Sequence, residues 1–435
     1  MNSVKVGLLG LGTVGGGTVN LLRRNRDVIS RRAGRDIEIG MAATRHLDRP
    51  RLCSTEGIRL VTDPYQVVDD PDTDIVLELI GGEQPALDLI LRAVDRGKHV
   101  VTANKALIAL HGNEIFARAR DRGVMVAFEP AVAGGIPIIK AVREGLVGNR
   151  IDWLAGVING TSNYILSEMF YEGREFGEVL AEAQRLGYAE ADPTFDVEGV
   201  DAAHKLTILA SIAFGVPLQF DRVHIEGISH VSREDVDYAR ELGFRIKHLG
   251  ICRRQDQGIE LRVHPALIPE RQLLANVDGV MNAVMVHADA LGPTLYYGPG
   301  AGAEPTASAV VADLVDVVRE FTLEPENRVP YLAFQSHALS DDPVLPLSSV
   351  ISAHYLRLMA LDQPGVMADI TRILGENRIS IEAIIQKPPA PDAEHVPVIL
   401  LTQRVRESQM EQACAAIEAL DSVHGSIIRI RVETL

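Results

Sequence analysis

Val4–Lys5–Val6–Gly7–Leu8–Leu9–Gly10–Leu11–Gly12–Thr13–Val14–Gly15 sets the reading of the whole chain. An apolar, β-prone run stops at a G-x-G-x-x-G turn, and the spacing of Val19, Leu21 and Leu22 behind it is helical. Strand, glycine turn and helix in that order form the context in which this short motif binds a dinucleotide. Gly10 permits the tight turn, Gly12 lets backbone approach a pyrophosphate, and Gly15 lets the helix pack close to the strand. The helix N-terminus, at Thr13 and Val14, attracts the anion. A glycine-rich turn without a ligand is the plain alternative.

Further strands follow at 37–43, 74–80, 99–105 and 124–129, with a helix at 84–96. This alternation implies an α/β fold with a parallel sheet. Ligands of such sheets bind off the carboxyl ends of the strands, so Gly81, Lys105 and Glu129 are expected to cluster near Gly12. The second strand ends in Thr44–Arg45–His46, where an NAD-selective site would carry Asp or Glu on the ribose hydroxyls. Arg45 instead suits a 2′-phosphate, which favours NADP and leaves dual use open.

The densest chemistry lies in Tyr188–Ala189–Glu190–Ala191–Asp192–Pro193–Thr194–Phe195–Asp196–Val197–Glu198–Gly199–Val200–Asp201–Ala202–Ala203–His204–Lys205. Asp192–Pro193 breaks any helix arriving from Ala191, and a new helix is expected near Asp196. Asp201 and Lys205 then fall four apart on one face. A lysine at the edge of an apolar stripe and ringed by acids suits proton transfer on a zwitterionic substrate. The bland reading is a solvated helix start with one salt bridge.

The 435 residues allow two or three domains. A formal charge of −16 argues against nucleic acid or an anionic membrane as partner. Three scattered cysteines fit a reducing cytoplasm, and no basic, cleavable leader precedes the first strand. The longest apolar run, near 207–218, is too short to span a bilayer. Beyond residue 130 come a helix at 138–146, a strand at 153–158, the polar turn Asn159–Gly160–Thr161–Ser162–Asn163, and helices at 163–170 and 175–186. Residues 222–297 read as strands and loops. A second glycine-rich turn, Tyr297–Gly298–Pro299–Gly300–Ala301–Gly302, leads to a helix with Pro305 as its first residue and Gly302 expected near the cofactor. Residues 325–352 carry the Pro, Ser and Asp of a linker. The tail reads βαββαβ, with Asp362–Gln363–Pro364–Gly365–Val366 exposing donors that could hold an amino-acid carboxylate.

These residues resemble homoserine dehydrogenase over essentially the whole chain. The resemblance rests on GLGTVGGG at 10–17, VTANKALIA at 101–109, EPAVAGGIPI at 129–138, NGTSNYIL at 159–166, GPGAGAEPTASAVVADL at 298–314 and, above all, the block at 188–206. The tail resembles an ACT domain, and the match is to the form without a fused aspartokinase. The resemblance implies a Rossmann-type domain at 1–130, to which a helix at 305–322 returns. It implies an α+β substrate and dimerisation domain at 131–304, a linker at 323–352 and a ferredoxin-like ACT domain at 353–435. The implied reaction is reversible, NAD(P)-dependent interconversion of L-homoserine and L-aspartate 4-semialdehyde on the way to threonine, methionine and isoleucine. Lys205 matches the acid/base lysine, Lys105 a second active-site lysine that also meets the nucleotide, and Asp201 a matching acid. Glu190, Asp196, Gly160, Thr161 and Tyr188 match the substrate site. Gly12, Thr13, Val14, Arg45 and Gly302 match nucleotide contacts. Glu129, Val132, Gly134 and Ile136 match a sodium site built mostly of carbonyls. Asp362, Gly365 and Val366 are the candidate effector residues, with threonine the expected effector and a homodimer or homotetramer the expected assembly. A dehydrogenase for another small amino alcohol, or a silent amino-acid sensor, would show altered chemistry at Glu190, Asp196 or Lys205, or a broken glycine turn. Neither change is present.

Overall fold

The structure, a computed structural model, describes residues 3–388 and 394–435. The chain forms two compact units. One comprises Met1–Gly160, Asp201–Val223 and Val280–Asp342, the other Thr161–Val200, His224–Gly279 and Pro343–Leu435. Among the described residues no helix is long and apolar enough to cross a membrane.

The first unit is built on six strands in the order Arg59–Val61, Ile37–Ala43, Val4–Leu9, Ile75–Glu78, His99–Thr102, Val126–Ala127, every pair parallel. Helices cover both faces, so the strands are apolar along their length rather than alternating. Strand order reverses between Val4–Leu9 and Ile75–Glu78, and the carboxyl ends of these two strands flank the switch point where α/β sheets bind ligands. Helix Ala303–Glu320 returns from far along the chain, and Val310, Leu314 and Val318 join Val6, Leu8, Ile75 and Val101 in one core. It lies against helix Thr13–Arg24 so closely that a Cβ on Gly17 would fall 2.5 Å from the Ala303 carbonyl oxygen. Strands Ile151–Val157, Met281–Ala288 and Gly292–Pro299 form an antiparallel ladder in the same unit. Helix Val200–Phe214 is buried on every side from Asp201 onward.

The second unit joins a long hairpin, Phe244–Gln255 with Gly258–Pro269, to the C-terminal βαββαβ module. The hairpin's second strand pairs in parallel with the last strand of the chain, Val423–Val432. The module's strands then run Val423–Val432, Ile351–Leu361, His395–Thr402, Ile381–Gln386, all antiparallel, which is the ferredoxin-like order 4-1-3-2. Helices Val366–Glu376 and Glu407–Glu418 bury Ile370, Leu374, Met410 and Ile417 against it.

Four local expectations are corrected. The helix expected near Asp196 is one turn, Thr194–Val197; Gly199 at φ +87° interrupts it, and the long helix starts at Val200. Pro305 is the third residue of its helix, not the first. Residues 222–297 contain the helix Arg233–Glu241, started by a capping box in which Ser232 and Asp235 satisfy each other's backbone N–H. The stretch read as a linker is tied down: Tyr331 stacks on Phe116 at 4.8 Å and donates to the Val124 carbonyl, while Leu345 N–H donates to the Ile259 carbonyl.

Gly17→Ala should lower the stability of the first unit by about 1–3 kcal/mol, because backbone on both sides leaves the new methyl nowhere to go. Thermal unfolding checks this, with Gly12→Ala as control, since a Cβ on Gly12 has nothing within 4 Å.

Candidate active site

At the carboxyl edge of the parallel sheet, Gly10 sits at φ +98° and Gly15 packs so close that its Cβ would fall 2.1 Å from the Gly10 carbonyl oxygen. Helix Thr13–Arg24 therefore starts directly at the turn. It has no side-chain cap at Gly12 and no acid in its first turn, leaving first-turn N–H groups for an anion. Helix Ala303–Glu320 likewise starts without a side-chain cap, at Gly302 with φ +123°, and the Gly17–Ala303 approach brings the two helix starts together. This is a cradle that fits a dinucleotide pyrophosphate. Gly81, at φ +68°, lies in the next turn of the same edge, which Glu78 organises by accepting from Ile80 N–H, Gly81 N–H and the Thr102 hydroxyl. Burial pushes the Glu78 carboxyl above its usual range, against those hydrogen bonds. Arg45 is exposed just past strand Ile37–Ala43. Beside it Arg51 folds back on the loop, donating to the Thr44 hydroxyl at 3.2 Å and to the carbonyls of His46 and Leu47.

The centre of the first unit's chemistry is Asp201, 4 % exposed. One oxygen accepts from Lys205 Nζ at 2.6 Å and Asn159 Nδ2 at 2.8 Å; the other lies 3.2 Å from Lys105 Nζ. Lys205 also donates to the Ile158 carbonyl at 2.7 Å. Burial would raise the Asp201 carboxyl, but Lys205 and then Lys105 hold it well below the usual carboxylate range. The carboxylate thus favours its ionised form and orients both lysine side chains. Lys105, first residue of helix Lys105–Asp121, is a third exposed, whereas Lys205 is almost enclosed. Asn104 caps that helix by accepting from Leu107 N–H, and its amide donates to the Gly82 carbonyl.

In the second unit, the Thr161 hydroxyl lies 2.7 Å from the Tyr188 carbonyl and 3.2 Å from Asp196 Oδ2, and Ser162 Oγ donates to the Asp196 carbonyl. Gln184 donates to the carbonyls of Glu190 and Ala191. The Glu190 carboxylate and the Tyr188 ring remain exposed, the ring edge-on to Tyr164 at 5.1 Å. The polar stretch from Gly160 is thus the first turn of helix Gly160–Glu172. Gly160 itself packs in the first unit, where a Cβ would meet the Val280 carbonyl at 2.9 Å.

Glu129 follows strand Val126–Ala127. Its carboxylate is enclosed and accepts from Ile139 and Lys140 N–H, while its own N–H donates to Asp313. Burial, reinforced by Asp313, pushes it up to about 7, and burial pushes Asp313 up to about 6. Its side chain is therefore committed to the backbone at 139–140, and its carbonyl accepts from Val132 N–H at 3.3 Å. Ala133 and Gly134 both adopt positive φ, folding Val132, Gly134 and Ile136 into one tight loop. Among the described residues no cluster of three or more His, Cys, Asp or Glu could hold a metal. In the C-terminal module, Gly365 at φ +98° starts helix Val366–Glu376 without a side-chain cap, and Asp362 accepts from Gln386.

Glu78 and Arg51 are absent from the residues singled out in the sequence, and Asn159 and Asn104 stand there only as members of the polar turn 159–163 and of the strand end at 99–105. A groove of about 1110 Å³ in the second unit is lined by residues such as Arg253, Glu270, Ser352 and Arg404 and by none of the candidate residues.

Comparison with known proteins bears on this geometry. Family models described as homoserine dehydrogenase, as its NAD-binding domain and as ACT domain match residues 137–315, 10–129 and 354–419. The homoserine dehydrogenase of Pseudomonas aeruginosa is 63% identical over 436 residues, covering 100% of both chains. The crystal structure of a homoserine dehydrogenase from Thiobacillus denitrificans superposes with TM-score 0.94 at 63% identity, over 100% of this chain and 99% of that one. A hyperthermophilic archaeal homoserine dehydrogenase in complex with NADPH matches with TM-score 0.63 at 26% identity, over 74% of this chain and 99% of that one.

Asp201→Ala should destabilise the protein by about 3 kcal/mol, since two ammonium groups would be left without their buried counter-ion. Urea denaturation at neutral pH checks the size of the loss.

Proposed function

The chain belongs to the homoserine dehydrogenase family, oxidoreductases that act on a CH–OH group, and we propose that it interconverts L-homoserine and L-aspartate 4-semialdehyde with NADP preferred over NAD. The observation that carries the reading is the Asp201 carboxylate shared by Lys205 and Lys105. In the semialdehyde direction Lys205 gives its proton to the aldehyde oxygen as the C–H bond forms, and in the other direction it takes the hydroxyl proton back. Asp201 and the Ile158 carbonyl hold the Lys205 ammonium at a fixed point throughout, which is how orientation becomes rate. When bound, the nicotinamide supplies or accepts the hydride. Lys105 adds positive charge beside the developing alkoxide and meets the nucleotide. Glu190 and Asp196 take the substrate ammonium, with Gly160, Thr161 and Tyr188 shaping its site.

On the nucleotide side, Gly10, Gly12, Thr13, Val14 and Gly15 hold the pyrophosphate, Gly81 and Gly302 allow backbone to approach it, and Arg45 reads the 2′-phosphate. The carbonyls of Glu129, Val132, Gly134 and Ile136 bind a monovalent cation, sodium, stiffening that loop. The C-terminal module senses an amino acid, threonine, at Asp362, Gly365 and Val366. The enzyme works in the cytoplasm as a homodimer or homotetramer, supplying homoserine for threonine, methionine and isoleucine.

Loss of NADPH absorbance on adding aspartate 4-semialdehyde, compared with NADH and repeated with threonine, tests the proposal; no turnover with either nucleotide by folded protein overturns it. Lys205→Met should lower kcat by about 10²–10⁴-fold with folding intact, and near-normal turnover would remove Lys205 from its role. Arg45→Ala should raise KM for NADPH by about tenfold and leave that for NADH within about twofold, the difference one charge-assisted contact makes.

A further inference from the structure

Lys247 is a lysine with no access to substrate. It lies on strand Phe244–Gln255, 2 % exposed, and all three of its N–H groups are committed. They reach the Val277 carbonyl at 2.6 Å, Asp278 Oδ1 at 3.0 Å and Asn163 Oδ1 at 3.2 Å. Three acceptors converging on one buried point call for a cation with three donors on a single atom, which only lysine provides. Burial pulls this lysine down, and Asp278 opposes that pull.

Asn163 is the link. It is 1 % exposed, takes Lys247 on its oxygen, and donates from Nδ2 to the Gly279 carbonyl at 2.9 Å. It stands in the first turn of helix Gly160–Glu172. Its two predecessors, Thr161 and Ser162, are the residues that bond the Tyr188 carbonyl, the Asp196 carboxylate and the Asp196 carbonyl. One side of this turn is thus clamped to the hairpin and the 277–279 turn, and its other side carries the acidic segment.

We infer that Lys247 is a positioning residue for substrate: its buried ammonium, acting through Asn163, fixes the helix turn from which the segment 188–196 hangs. The inference rests on the proposed role of Glu190 and Asp196 in holding the substrate ammonium. It adds a residue that touches neither substrate nor nucleotide yet sets where those acids stand. The nucleotide turn belongs to the other unit, so the effect is specific to one of the two substrates.

Two variants and two measurements test it. Lys247→Met strands three acceptors and lowers stability. Asn163→Ala removes the link together with the Asn163 Nδ2 bond to Gly279, while Ser167 still ties the helix to the turn by donating to the Asn163 carbonyl and accepting from Gly279 N–H. In Asn163→Ala, amides of residues 188–198 should exchange with deuterium about tenfold faster, with those of helix Phe176–Leu186 unchanged, whatever the enzyme turns over. Unchanged exchange at 188–198 overturns the inference. In steady state KM for aspartate 4-semialdehyde should rise about tenfold in both variants, with KM for NADPH and kcat within about twofold. Asn163→Asp, which keeps the acceptor for Lys247, should recover most of the loss. Equal rises for both substrates, or a lower kcat at unchanged KM, would mean a merely structural lysine. Glu190→Gln separates the premise: if it leaves the semialdehyde KM alone while Asn163→Ala loosens the segment, the substrate assignment fails and the clamp stands.

Discussion

The carboxylate of Asp201 is the constraint on which the first unit's chemistry depends. A lone buried carboxylate would be neutralised rather than kept, at a desolvation cost of several kcal/mol. Here Lys205, Lys105 and Asn159 all point at it, so it stays ionised and each lysine is held in turn. The arrangement needs helix Val200–Phe214 to be enclosed, because an exposed i,i+4 pair would be screened and worth a few tenths of a kcal/mol. It also needs Lys105 at a helix start rather than in a free loop, which Asn104 provides by capping helix Lys105–Asp121. Burial makes the pair expensive to break, and that expense keeps the ammonium groups in place.

In the second unit the same logic joins the C-terminal module to the hairpin. Arg431 lies 1 % exposed on the last strand, takes Glu407 of the module in a two-pronged contact, and reaches Glu226 with its third nitrogen at 2.8 Å. Burial would raise the Glu226 carboxyl, but His224 and Arg431 hold it well below the usual range. Arg262 on the hairpin pairs with Glu260 and with Glu433, just beyond that last strand. Residues 226–228 in turn support the acidic segment, since Ile228 N–H donates to the Val197 carbonyl and Ser229 to Glu198. The module is therefore continuous with the scaffold beneath Asp196, not a bead on a string.

What the sequence makes legible is what local patterning carries. Strands such as Val4–Leu9 and the module's βαββαβ order follow from apolar runs and turn residues, and Asp201–Lys205 follows from helical spacing. Local signals also go unread: Ser232 and Asp235 spell a capping box, yet helix Arg233–Glu241 sits in a stretch whose other elements are strands. The break at Gly199 is a tertiary matter, because a Cβ there would fall 3.1 Å from each of His248, Ile225 and Val263. Residues that organise the site from a distance leave no local trace. Glu78 meets Thr102 across 24 positions and Lys247 meets Asn163 across 84.

The case of Glu129 shows why residue type alone misleads. A glutamate at the end of a short strand reads as a group facing ligand, yet its carboxylate closes the start of the helical turn Ile138–Lys140 while its N–H donates to a second acid, Asp313. Burial pushes both carboxyls toward the neutral form, and Asp313 adds to the push on Glu129. Ala133 and Gly134, both at positive φ, make the tight turn between Val132 and Ile136, which Ile136 N–H closes by donating to the Ala133 carbonyl. Gly134 has no alternative there, as a Cβ would fall 2.4 Å from the Gly300 carbonyl. The two glycine-rich stretches at 134–135 and 298–302 are thus one packed feature, and that contact joins the apolar face of Val310, Leu314 and Val318 in seating the returning helix.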